Sequence, residues 1–199
     1  MSGLDWAHAT ERDVSKYRVN GKRVPSVTEI LSIEGFVVFP RVPARLLEAA
    51  ANRGRLAHAV TAKMDLGDFV GSYPPEAEPY VKAYEKFRAD SNFHPELVEH
   101  VIVNPRHRYA GTLDRVGLLN GRRVLIDLKC TAQCQKSVGM QLSAYELSLE
   151  EPVEARFTLR LLSDGNYRLD EKKDRRDVHD FLAATRCVHR KLDDGLITL

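Results

Sequence analysis

Two charged side chains interrupt a segment that otherwise has the composition of a β-strand. The segment RVLIDLKCT, residues 123–131, is rich in Val, Leu and Ile, yet it carries Asp127 and Lys129 two residues apart. Because side chains alternate along a strand, the carboxylate and the ammonium group lie on one face. An apolar face would be expected there, so this pair is the first candidate for chemistry in the chain.

A second carboxylate is predicted to lie opposite Asp127 across a hairpin. The Asn-Gly pair at residues 120–121 is typical of a two-residue type I′ turn, in which the numbers of paired residues sum to 241. Asp114 then opposes Asp127, and Thr112 opposes Lys129. Opposed side chains have Cβ atoms about 4.5–5.5 Å apart, and like charges there are destabilising without a positive charge between them. The pattern therefore predicts a site for a hard divalent cation, Mg²⁺ or Mn²⁺, with Lys129 beside it.

A solvated sheet face is the alternative interpretation of this hairpin. On such a face charges are normal, and Lys129 would simply form a salt bridge with one of the two aspartates. Both strands are otherwise apolar, however, and helices must partly cover the face. An uncompensated acidic pair under helices would cost free energy, which favours the metal site.

Four segments of the chain together resemble the PD-(D/E)XK nucleases and their RecB-like branch. In chain order they are GRLAH (54–58), GTLDRV (111–116), LIDLK (125–129) and QLSAY (141–145). The middle two are similar to the bipartite signature, with Asp114 as the first acid and with Asp127 and Lys129 as the second acid and the lysine. The outer two are similar to the G-x-x-x-H and Q-x-x-x-Y elements of the RecB-like branch. The proline of the family name is absent before Asp114.

The resemblance implies a role for each of these side chains. The implied metal ligands are His58, Asp114 and Asp127, and the implied catalytic residues are Asp114, Asp127 and Lys129. The expected substrate contacts are Gln141, Tyr145, Arg53 and Thr112. Taken alone, His58 would more often be a core histidine, and Tyr145 a core aromatic. Glu99 is either a further acid that reaches a second metal ion or a solvated charge on a strand.

The elements that must position these residues follow from turn, capping and helix signals. The expected order is a hairpin at Asn20-Gly21, a short helix capped by Ser26 and Glu29, helices over 44–66 and 76–91, three meandering strands from Leu97, a helix over about 136–149, a hairpin at Asp164-Gly165 and a helix over about 174–192. This order predicts an α/β fold with a mixed sheet. The resemblance implies a restriction-endonuclease-like core with an N-terminal helical extension.

Composition indicates one globular domain over residues 1–199. We expect an N-terminal hairpin and helical part over 1–96, a catalytic sheet core over 97–170 and a C-terminal helix over 171–199. The chain is 43% hydrophobic and 29% charged, and its net charge of +2 excludes a wholly basic face, so a nucleic-acid site must be a local groove. Three cysteines are too few for a four-thiolate iron-sulfur cluster. No apolar run or leader pattern is visible, so a cytoplasmic protein without a membrane segment is expected, in the host cytoplasm if a phage encodes it.

The activity implied by the resemblance is metal-dependent DNA exonuclease action on ends or single strands, in recombination, repair or replication processing. DNA is the expected partner, together with either further copies of the chain or a recombination or single-strand-binding protein. Two alternatives stay open: a structure-specific or restriction-like endonuclease, and a catalytically inactive DNA-binding module.

Overall fold

The structure is a computed structural model that describes residues 15, 17–38, 42–68 and 71–199. Most of the N-terminal segment in which no leader pattern was found lies outside these ranges. The helices are α1 (Val27–Ile33), α2 (Ala44–Leu66), α3 (Glu78–Ser91), α4 (Val138–Glu146) and α5 (Asp177–Asp193). The strands are β1 (Arg18–Val19), β2 (Lys22–Arg23), β3 (Phe93–Asn104), β4 (Tyr109–Leu119), β5 (Arg122–Lys129), β6 (Ala155–Leu161) and β7 (Tyr167–Glu171). Among the described helices, none is long and apolar enough to cross a membrane.

The central sheet has five strands in the order β3-β4-β5-β6-β7. Neighbouring strands are antiparallel except for β5 and β6, which are parallel and are joined through α4. A parallel pair needs such a crossover, since the chain must return to the same end of the sheet. The predicted α/β class with a mixed central sheet is confirmed.

The hairpin between β4 and β5 has the predicted register. Asn120 and Gly121 have φ values of 51° and 80°, as a type I′ turn requires. Pairing runs from Leu119–Arg122 back to Arg115–Ile126, so paired numbers sum to 241 as expected. The paired ladder ends there, one residue before Asp114 and Asp127.

Helices cover both faces of the sheet, and β5 is buried on both. Val124, Ile126 and Leu128 pack toward α2 and α3, whereas Leu125 packs into the core formed with α1, α4 and α5. Strand alternation therefore places Asp127 on the α4 side of the sheet. A charged pair on this buried strand needs partners from the helices around it.

Most element boundaries agree with the sequence pattern, and the differences have local causes. The helix α2 begins and ends as predicted, and Ser26 and Glu29 form both hydrogen bonds of a capping box. The helix α5 begins at Asp177 rather than about 174, because the Asp174 side chain accepts a hydrogen bond from the backbone of Arg176 and forms a turn. The strand β3 begins at Phe93, before the predicted start, since an edge strand tolerates a proline and a bulge.

Candidate metal centre

The imidazole of His58 projects from α2 toward the sheet and is oriented by a backbone contact. Its Nε2 lies 3.1 Å from the carbonyl oxygen of Leu128, and its Nδ1 lies 3.4 Å from a carboxylate oxygen of Glu99 and 3.4 Å from one of Asp114. When Nε2–H donates to the carbonyl, the lone pair of a neutral ring is on Nδ1, between two carboxylates. This is the arrangement of a histidine prepared to bind a cation through Nδ1.

Two adjacent strands bring the acids Glu99 and Asp114 together. The β3–β4 pairs Val98–Arg115 and His100–Leu113 flank the two acids, so the register places Glu99 opposite Asp114. Glu99 has a φ of 45°, in the left-handed region that L-residues other than Asn and Asp rarely occupy. The side chain therefore reaches His58 from a strained backbone.

Asp114 is held by the backbone of the neighbouring strand. The side chain is buried, and its Oδ2 accepts a hydrogen bond of 2.7 Å from the backbone nitrogen of Leu128. The other oxygen, Oδ1, is the one that faces His58. One oxygen is thus fixed by the sheet and the other remains directed into the site.

These three side chains form a donor set that fits a divalent cation. Within the described residues, one ligand atom each from His58, Glu99 and Asp114 lie within 4.8 Å of one another. Burial alone would lower the pKa of His58, but Asp114 and Glu99 raise it to about 9. In the metal-free protein a proton on the ring compensates the acids, and a cation would replace it. One imidazole nitrogen and two carboxylate oxygens suit a divalent cation.

Asp127 and Lys129 form a second group beside this cluster. The Nζ of Lys129 lies 3.0 Å from Oδ1 and 2.9 Å from Oδ2 of Asp127, and 3.3 Å from Oε1 of Gln141. Asp127 is buried, and burial raises the pKa of its carboxyl while Lys129 opposes the rise. The carboxylate of Asp127 is outside the cluster of three atoms defined above, so its role as a metal ligand stays a prediction.

Gln141 and Tyr145 lie next to each other on α4, as their spacing predicted. The Nε2 of Gln141 donates to the hydroxyl of Tyr145 at 3.1 Å, and both side chains are buried. Thr112 is also buried and shares a hydrogen bond of 2.9 Å with the hydroxyl of Tyr17. The structure thus brings Gln141 to Lys129 and directs Thr112 to the N-terminal hairpin, and substrate contact by any of them stays a prediction.

Arg53 and Gly54 lie on α2 about one turn before His58. Arg53 is partly buried, and its charge opposes the rise in the pKa of Cys130, which burial brings to about 12. A methyl group added at Gly54 would meet nothing within 4 Å. The helix surface at Gly54 is therefore open rather than packed against another element.

Arg115 is a residue of the site that the sequence did not single out. Its guanidinium is fully buried and contacts Asp65 at 2.6 Å, Glu99 at 3.1 Å, the backbone oxygen of Asp114 at 2.7 Å and Thr61 at 3.1 Å. Asp65 lies 50 residues earlier in the chain. The only signal in the sequence is that Arg115 lies on a strand predicted to be buried, where an arginine needs an acidic partner.

Comparison with known proteins finds similarity between this structure and solved structures of other proteins. No protein-family model matches the sequence, and no curated protein matches it. A crystal structure from Eubacterium rectale, described as "Putative exonuclease", matches with a TM-score of 0.54 and 10% identity over 98% of this chain and 86% of that one. An alkaline exonuclease from Laribacter hongkongensis matches with a TM-score of 0.41 and 13% identity over 86% of this chain and 92% of that one. The first of these likenesses shows a shared fold.

Proposed function

We propose that this chain, which has the restriction-endonuclease-like fold of the PD-(D/E)XK nucleases, is a metal-dependent deoxyribonuclease that degrades DNA from ends or single strands. The observation that carries the proposal is the cluster of His58, Glu99 and Asp114 beside the ammonium group of Lys129. Cation ligands next to a lysine can supply the attacking water and the charge stabilisation that metal-assisted phosphodiester hydrolysis uses.

In this proposal one group of residues binds the cation and another contacts the phosphate. His58, Glu99 and Asp114 would hold the ion, with Asp127 as the further ligand implied by the resemblance. A bound Mg²⁺ or Mn²⁺ supplies a nucleophilic water at neutral pH and neutralises charge on the phosphate. Lys129, whose side chain is 29% exposed, is held by Asp127 and Gln141 and can donate to a phosphate oxygen or orient the attacking water.

The choice of DNA ends or single strands rests on two supports. The sequence resembles the single-domain exonucleases of the RecB-like branch, and the fold is shared with the Eubacterium rectale protein described as "Putative exonuclease". We take residues 1–199 as one catalytic domain that depends on a free DNA end or on a separate partner protein. A role in recombination, repair or replication processing follows from that activity and is part of the proposal.

End-labelled DNA tests the proposal directly. Linear single- and double-stranded DNA, with a closed circular single strand as control, would be incubated with Mn²⁺, Mg²⁺ or EDTA. Wild type would be compared with Lys129→Ala and with Lys82→Ala, an exposed lysine whose partner is Glu78. We expect metal-dependent loss of the linear strands with circles spared, unchanged cleavage by Lys82→Ala and none by Lys129→Ala.

Other outcomes of this test would replace the proposal. Cleavage of the closed circle would assign an endonuclease. Binding of DNA without cleavage under any condition would assign a binding module that retains the fold.

A further inference from the structure

Arg115 connects the helix that carries His58 to the strands that carry the two acids. Its Nε and one terminal nitrogen bond Asp65 and Thr61, both on α2. The other terminal nitrogen bonds the Glu99 carboxylate on β3 and the backbone oxygen of Asp114 on β4. One guanidinium group therefore contacts all three elements from which the cluster is built.

The spacing along α2 makes this connection relevant to His58. Thr61 and Asp65 follow His58 by three and seven residues, so the three side chains share one helix face. The guanidinium is planar, with its donors in a fixed fork, so it holds its partners in one relative arrangement. These bonds therefore join the face of α2 that carries His58 directly to β3 and β4.

We infer that Arg115 is the positioning residue of the metal centre, which places His58 and Glu99 where they and Asp114 can bind one cation. The inference rests on the proposed metal site but goes beyond it, because Arg115 would not contact the ion or the DNA. The carboxylate oxygen of Glu99 that Arg115 bonds at 3.1 Å is the same oxygen that lies 3.4 Å from His58.

Positioning and simple electrostatics make opposite predictions for Arg115. A positive charge near a cation site repels the cation, so removal of the charge alone would strengthen metal binding. The side chain of Asp65 is fully buried and pairs with Arg115 at 2.6 Å and with Arg88 at 3.2 Å, so it compensates part of the charge of Arg115. Loss of the fork would instead release Glu99 from its strained backbone position and weaken metal binding.

The test is Mn²⁺ affinity, measured by titration calorimetry, in Arg115→Lys and Arg115→Met, each with its melting temperature. We expect an affinity about tenfold to 100-fold lower in both variants, the range found for residues that orient metal ligands. Lysine retains the charge but not the fork, so it should not rescue binding. Arg156→Met is the matched control: Arg156 is a buried arginine on β6 that pairs with Glu146. It should lower the melting temperature and leave Mn²⁺ affinity unchanged.

A milder variant keeps the inference testable if the Arg115 variants do not fold. Thr61→Val removes one acceptor of the guanidinium at nearly constant volume. Thr185→Val on α5 is its control, because Thr185 is a buried threonine bonded to a helix carbonyl. We expect several-fold weaker Mn²⁺ binding for Thr61→Val only.

The results separate this inference from the proposed function. Folded Arg115 variants that bind Mn²⁺ as tightly as wild type, or more tightly, overturn the positioning role, as does unchanged affinity in Thr61→Val. A wild-type protein that binds no Mn²⁺ or Mg²⁺ overturns the metal site itself, and with it both proposals.

Discussion

The backbone nitrogen of Leu128 donates to the side chain of Asp114 at 2.7 Å, so a carboxylate occupies a position that a strand partner's carbonyl would normally fill. The carbonyl of the same residue accepts from His58 at 3.1 Å. The backbone of one residue on β5 thus orients two of the three side chains in the metal cluster. Since only the backbone is involved, the identity of residue 128 matters for packing and not for this orientation.

Metal binding should release a proton from His58 and strengthen as pH rises. Asp114 and Glu99 raise the pKa of His58 from 6.5 to about 9 in the metal-free fold, so the ring must lose a proton to bind a cation. Between pH 6.5 and 8 the affinity for Mn²⁺ should rise about tenfold per pH unit. Calorimetry at pH 7.5 in buffers of different ionisation enthalpy should show about one proton released per ion.

Without metal, the same pKa shift has the opposite effect on stability. A group whose pKa is raised on folding stabilises the fold fully below its unfolded value of 6.5, and this contribution is lost as pH rises through about 9. His189→Ala should keep the wild-type pH dependence of Mn²⁺ affinity, whereas His58→Ala should lose that dependence together with the contribution of His58 to the pH dependence of stability. Affinity that does not change with pH would show that His58 is not a ligand.

Replacement of Glu99 by glycine should relieve the backbone strain at this position and show it as a difference in stability. At a φ of 45°, glycine has no Cβ penalty, so Glu99→Gly should be more stable than Glu99→Ala by about 1 kcal/mol. Both variants should weaken Mn²⁺ binding, because both lose the carboxylate. Chemical denaturation of the two metal-free variants measures the difference.

The neighbouring residue His100 supplies the reference for this comparison. It is an exposed residue of the same strand and has no positive φ. In an ordinary strand alanine is more stable than glycine, so His100→Gly should be less stable than His100→Ala. The same order at residue 99 would contradict a left-handed conformation there.

The sequence predicted the part of the site that local turn chemistry determines. The Asn120-Gly121 pair fixes its own hairpin, so the register that brings Asp114 toward Asp127 could be calculated. The cluster with Glu99 also depends on a shift of the β3–β4 register between Pro95 and Leu97, and no short sequence motif predicts that shift.

Contacts between distant segments could not be predicted in the same way. Arg115 lies inside the recognised GTLDRV segment, but its partner Asp65 is on α2, and their contact requires the helix to be docked on the sheet. Asp127 is predicted to share the cation, and its carboxylate also contacts Lys129, a pairing that the two-residue spacing allows but does not specify.

Asp127 and Asp114 should therefore respond differently to the loss of charge. Asp114→Asn removes a carboxylate of the three-atom cluster and should weaken Mn²⁺ binding strongly. Asp127→Asn removes the partner of Lys129 and should weaken it less, while cleavage falls at least about 100-fold in both variants. Calorimetry and single-turnover cleavage separate the two effects. Equal losses of affinity would show that both aspartates bind the ion equally.

Substitution of Gly54 by alanine should change substrate binding and protein stability in opposite directions. It lies inside α2, where alanine is favoured over glycine by about 1 kcal/mol, and an added methyl group meets nothing within 4 Å. Gly54→Ala should therefore raise the melting temperature and leave Mn²⁺ affinity unchanged. Because Gly54 and His58 are one turn apart on the same face, we expect DNA bound at the metal centre to pass close to this surface.

The extra methyl group of Gly54→Ala should then raise KM for DNA several-fold although the protein is more stable. Asn52→Ala is the control, since it also raises helix propensity but lies two residues away, on a different side of the helix. It should stabilise the protein without changing KM. A Gly54→Ala variant that is more stable and cleaves with an unchanged KM would show that DNA reaches Lys129 from the α4 side instead, past Gln141 and Tyr145.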